Sequence, residues 1–208
     1  MKRLLLVLVL VCLAAAAFAG DLSVGVGASG SYYMQTMKGP GGEALTTGVP
    51  FNFMAFLDST YLEAAVGYRT VHGFHTKVTP VAGPVSESDD NTSEYSYLTL
   101  AAYLRLPIPL GSIALIPMIG VEYDYTLAAT NDVGAHATSS QLSDLSSLWI
   151  KGGLGIEVPI SSAVYLRPEC LFGYQLNNED ERKTIDYYLL DSIQDLNVEL
   201  AVLLGVRL

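Results

Sequence analysis

Eleven charged residues are threaded singly through stretches that are otherwise apolar: Glu63, Arg69, Arg105, Glu122, Asp124, Lys151, Glu157, Arg167, Glu169, Glu199 and Arg207. Charges placed this way have two uses. Paired with one another, they form a structural salt-bridge network, because a buried charge is tolerated only with a partner. Left to rearrange, they line a path for protons or ions. Six acids against five bases favour the network. Heights along the chain suggest Glu63 with Arg105, Glu157 with Arg167, and Lys151 with Glu122 or Asp124.

The other reactive residues are less organised. Nucleophilic catalysis needs a base within reach of an activated hydroxyl, and His75 is followed only by Thr76 and Lys77. With His72 and His136, it is expected at or above an outer rim, and no catalytic set is assigned. Two acid-rich runs, 86–91 and 178–183, lack the ordered spacing and glycine of a calcium loop. They are expected to be solvated, self-repelling loops. The segment Lys38 to Gly42 is glycine-rich without a phosphate-loop pattern and reads as a turn. No metal or cofactor is expected. A net charge of −10 argues against nucleic acid, which requires a basic footprint.

Eight segments with period-two alternation must position these residues: 22–34, 48–58, 61–74, 95–107, 112–128, 147–158, 163–176 and 194–208. Successive strand side chains point to opposite faces, and in each segment the charges keep to one face. In the last, Leu196, Val198, Leu200, Val202, Leu204, Val206 and Leu208 oppose Glu199 and Arg207. Tight connections (Asp58 to Thr60, Pro107 to Gly111, Pro159 to Ser162) alternate with long ones at 35–47, 75–94, 129–146 and 177–193. Short turns at one end and long loops at the other are the layout of an up-and-down barrel spanning an outer membrane. On the apolar face, Tyr32, Tyr68, Tyr123, Tyr125 and Tyr174 all fall toward the long-loop end. An aromatic girdle at a membrane interface has that placement.

Half of the residues are apolar and 15% are charged, too apolar for a disordered chain. Residues 1–19 read as a cleaved signal peptide. Lys2 and Arg3 precede an apolar core, and Ala17-Phe18-Ala19 is a small-residue cleavage site. Cleavage removes Cys12 and leaves Cys170 alone, which excludes an internal disulfide; on the apolar face Cys170 is a filler. Residues 20–208 then form one barrel. A soluble barrel would turn the apolar faces inward, but eight strands enclose room for little more than side chains. The apolar faces are therefore expected outside, against lipid.

The fold expected is all-β, an eight-stranded antiparallel up-and-down transmembrane β-barrel. With its signal peptide, alternating loop lengths and apolar terminal strand, the chain resembles the small outer-membrane barrels of the OmpA membrane domain, OmpX and OmpW kind. The resemblance implies an outer-membrane location in a diderm bacterium, assembly by the barrel-assembly machinery, and a monomer. That family typically ends in an aromatic residue, where this sequence has Leu208. Some small outer-membrane barrels modify lipid A, but the His-x-Ser spacing of the deacylases is absent, and the chain is not expected to be an enzyme. The expected role is that of a plugged barrel acting through its outer loops, in adhesion, ligand binding or envelope integrity. A narrow channel for small or hydrophobic solutes is the alternative.

Overall fold

The computed structural model describes residues 22–130, 136–137, 142, 145–177 and 192–208, except the side chains of 90–92. The segments 1–19 and 178–183, read above as a signal peptide and an acidic loop, lie outside the described residues. Ten strands follow one another: β1 (Ser23–Gly39), β2 (Gly42–Gly48), β3 (Phe51–Asp58), β4 (Leu62–Pro80), β5 (Ser86–Arg105), β6 (Ile108–Leu110), β7 (Ile113–Thr130), β8 (Ser147–Pro159), β9 (Val164–Gln175) and β10 (Ser192–Arg207).

They close into a ring of eight. Proline 50 lacks an N–H and breaks one wall position into β2 and β3, both of which lie between β1 and β4. Beyond Leu106 and Pro107, β6 folds onto the start of β7, so the stretch read as a bare turn contains a short strand. Every neighbouring pair is antiparallel, and β10 returns to β1 from Ser23 opposite Arg207 to Lys38 opposite Ser192. The last strand therefore pairs across the whole of 22–34, as its sequence requires.

Outward positions are exposed and apolar around the circumference. Val26, Phe53, Val66, Leu104, Ile119, Leu154, Phe172 and Leu200 are all exposed, a belt far larger than the isolated apolar patches of a water-soluble monomer. A closed barrel with such a belt satisfies its backbone internally and meets lipid with its side chains. Tyr32, Tyr68, Tyr123, Tyr125 and Tyr174 all point outward on this surface, and the Tyr68 hydroxyl donates to Ser96 Oγ at 3.1 Å.

Two connections differ from expectation. The stretches 35–47 and 75–94 are largely strand, so β1 with β2 and β4 with β5 stand above the belt as hairpins. Their sequences alternate without an apolar face, which hides a strand from a pattern search. Cross-strand pairs hold them instead: Lys38 with Glu43 at 3.5 Å, His72 with Glu94 at 3.3 Å, His75 with Asp89 at 2.7 Å and Lys77 with Glu87 at 3.0 Å. The run 86–91 is thus the outer arm of a paired hairpin, not a self-repelling loop.

Candidate functional site

Strict alternation sends one residue in two into the narrow lumen of an eight-stranded barrel. The charged residues there are drawn from seven of the eight wall positions and meet in two layers.

The layer nearer the short turns is centred on Asp58, at the end of β3. Its Oδ2 accepts from Arg105 at 2.7 Å, from Arg167 at 2.6 Å and from the Tyr165 hydroxyl at 2.8 Å. Arg167 also bonds Glu63 and, at 2.5 Å, Glu169. Arg105 lies 3.8 Å from Glu63 and 3.7 Å from Glu157, and Glu157 accepts from Arg207. Tyr165 is packed between the guanidinium groups of Arg167 and Arg207, 5.8 and 5.4 Å from its ring centre. The ring has room because Gly205 lies beneath it; a Cβ there would come within 2.2 Å of Tyr165 Cζ.

The layer nearer the long loops is centred on Arg69. It reaches Asp124 at 2.5 Å, Glu122 at 2.8 Å and Glu199 at 3.3 Å. Lys151, fully buried, contacts Glu122 at 2.6 Å and also Glu199. Ser29 donates to Glu199, and Thr99 to Asp124 at 2.8 Å. Arg69, Arg105, Lys151 and Arg167 each touch at least two acids, and the acids outnumber the bases in both layers.

Between the layers the inward residues are largely small or apolar: Met54, Ala65, Ala101, Met118, Leu171 and Leu203. They leave a void of about 20 Å³ that borders Glu63 and Glu169 of one layer and Glu122 and Glu199 of the other. That is room for about one water molecule.

Above the second layer the lumen widens into a cup of about 450 Å³. Its floor includes Arg69, Asp124 and Asn197, and its wall is aromatic. Tyr33 meets Trp149 edge-on at 6.2 Å, Phe74 meets Tyr95 edge-on at 5.5 Å, and Tyr95 stacks with Tyr97 at 6.4 Å. Phe74 reaches this wall through a local irregularity. By alternation it would share the outward face of Tyr68, but Gly73 adopts φ +69° and the β4–β5 register shifts there. A β-bulge of this kind re-aims the following side chain, and a left-handed residue is best supplied by glycine.

All eleven charged residues singled out from sequence line the lumen or its short-turn rim; Arg207 is the most exposed of those at the rim. Glu63 faces Arg105, and Lys151 meets Glu122 rather than Asp124. Glu157 and Arg167 do not pair. The strand pairs Gly155–Glu169 and Val158–Leu166 put them level, yet the long Arg167 side chain crosses the lumen to Asp58. Sequence reasoning missed Asp58, because Asp-Ser-Thr looks like a turn, and missed the cup. A signal for the cup existed: Tyr33, Tyr95, Tyr97 and Trp149 all lie on the inward faces of their strands, toward the long-loop end.

The histidines sit outside the lumen. His72 and His75 join the hairpin pairs above, and His136 Nδ1 lies 3.1 Å from Thr130 Oγ1. Among the described residues no group of acids, histidines and cysteines is arranged to hold a metal ion. On the exposed hairpin, a hydrogen bond from Lys77 and its charge hold the Glu87 carboxyl below the usual glutamate range.

No family model matches the chain, and no curated protein matches it either. Solved structures of small outer-membrane barrels are similar to it. Neisserial surface protein A aligns at 11% identity over 87% of this chain and 96% of its own, with a TM-score of 0.47. The outer membrane protein OprG from Pseudomonas aeruginosa aligns at 11% identity over 91% and 96%, with a TM-score of 0.45. The attachment invasion locus protein Ail of Yersinia pestis aligns at 12% identity over 90% and 99%, with a TM-score of 0.36.

Proposed function

We propose that this outer-membrane barrel is closed to ions and solutes, and that it works from its outward end. The observation that carries this reading is the pair of charge layers spanning the lumen. Arg69, Arg105, Lys151 and Arg167 each hold two or more carboxylates, so an ion crossing the barrel would have to break several buried pairs at once. Breaking a buried pair by removing one partner costs about 3–5 kcal/mol, and the void between the layers is far below the width of a channel.

The outward end has what the lumen lacks. It offers two paired hairpins with exposed charge, and a cup of a size usual for small-ligand sites. Adhesion and ligand binding both suit such a surface, and neither asks for a catalytic group. Lipid around the belt, the assembly machinery during insertion and an extracellular ligand are the partners this reading implies, with the chain acting as a monomer.

Planar-bilayer recording from the purified chain is the test. A plugged lumen gives no steady conductance at low voltage. Steady, solute-dependent channels would overturn the proposal and favour the narrow-channel alternative.

A further inference from the structure

We infer that His72 and His75 of β4 form a clamp across the bulge that aims Phe74 into the cup, and that acid strengthens this clamp. The two histidines stand on either side of the irregularity. His72 is the last residue paired before the β4–β5 register shifts, Phe74 is the first after it, and Gly73 between them holds φ +69°. His72 Nδ1 lies 3.3 Å from Glu94 and His75 Nδ1 lies 2.7 Å from Asp89, both across to β5. The bulge can therefore relax only by parting one of these pairs. Were it to relax, alternation would return Phe74 to the outward face and end its edge-on contact with Tyr95.

Charge balance makes the clamp depend on pH. Glu94, Asp89 and Glu87 of β5 are the cross-strand partners of His72, His75 and Lys77 of β4, and each of the three couples is an exposed side-chain pair. With both imidazoles uncharged, one base faces three acids. With both charged, three bases face three acids. An uncharged imidazole can still donate one hydrogen bond through Nδ1, but a charged one adds Coulomb attraction to it.

The neighbouring elements are accounted for in the same way. Beside His75, β2 presents Thr47, whose hydroxyl donates to the His75 carbonyl at 3.5 Å. Beside Glu94, β7 presents Thr130, with His136 Nδ1 at 3.1 Å from its hydroxyl. Farther up, Lys38 of β1 and Glu43 of β2 pair with each other. Of the side-chain types involved, only imidazole ordinarily changes charge between about pH 5 and about pH 8. The clamp is therefore strongest below the histidine range and weakens as the pH rises through it.

The test follows amide hydrogen exchange at residues 74–78 of the full chain in detergent, corrected for the intrinsic exchange rate at each pH. From about pH 8 to about pH 5.5, protection should rise about three- to tenfold, the worth of two exposed charge pairs. The Phe74 ring resonances should move with those of the His75 ring over the same interval. Replacing both bases, His72→Gln with His75→Gln, should abolish the step. Replacing both acids, Asp89→Asn with Glu94→Gln, should abolish it as well while keeping both imidazoles. Protection that does not change with pH would overturn the inference, and so would a step that survives in either double variant. Because all four side chains are exposed, both double variants should keep the parent barrel, which heat-modifiable gel migration checks. Conductance tests the plug separately, since none of these residues lies in the lumen.

Discussion

Asp58 Oδ2 accepts from Arg167 at 2.6 Å across 109 residues of sequence, and the same atom accepts from Arg105 at 2.7 Å. One carboxylate oxygen at the end of β3 thus ties together two guanidinium groups from β5 and β9. With the Tyr165 hydroxyl, three donors converge on that single atom.

Asp58→Asn keeps the shape but removes the charge from between two buried arginines. Arg105→Ala takes away one of those arginines and leaves Glu63 and Glu157 short of a partner. Each should lower stability by about 3–5 kcal/mol, the cost of breaking a buried pair from one side. Heat-modifiable gel migration in detergent checks it: both variants should unfold well below the parent temperature. Unchanged heat resistance in Arg105→Ala would count against a structural network.

The outward face makes a different demand. Leu200 lies on the lipid side of β10, highly exposed, while its neighbours Glu199 and Ala201 are buried in the lumen. Leu200→Arg should cost about 2–4 kcal/mol if the position lies near the bilayer midplane, measured by urea unfolding in lipid vesicles. The same substitution on a surface hairpin, at Thr79, should change stability by less than about 0.5 kcal/mol.

The hairpin above the belt carries a pH-dependent link. Because Lys77 lowers the Glu87 value in the folded chain, its contribution is complete above the ordinary glutamate value. It is lost as the pH falls below that value, through the lowered one. The carboxyl-carbon resonance of Glu87 should therefore titrate at lower pH in the parent than in Lys77→Ala. Coincident midpoints would show that the pair does not form in solution.

Much of this architecture is legible in the residues. Alternation alone places the eleven lumen charges, the outward tyrosines and the pairing of the last strand with the first, because a buried charge or an exposed leucine belt admits only one facing. Alternation cannot see what breaks it. Phe74 enters the cup through a bulge at Gly73, and a single glycine in a strand-like run does not announce a left-handed conformation. The hairpins at 35–47 and 75–94 were hidden for the opposite reason: both of their faces meet water, so no apolar stripe marks them as strands. Asp58 was lost to the resemblance between a strand end and a turn. The partner of Arg167 was lost because sequence gives height along a strand but not reach across a narrow tube.

The seam between β1 and β10 bears on how the molecule is made. Ser29 on the first strand donates to Glu199 on the last, and Glu199 also receives Arg69 from β4 and Lys151 from β8. A half-built, open sheet would bring few of these groups together, and each unpaired charge would resist entry into the hydrocarbon. Neutralising the lumen and joining the two ends of the sheet are therefore one event. Insertion should proceed with the charges still wetted until the final edge zips shut.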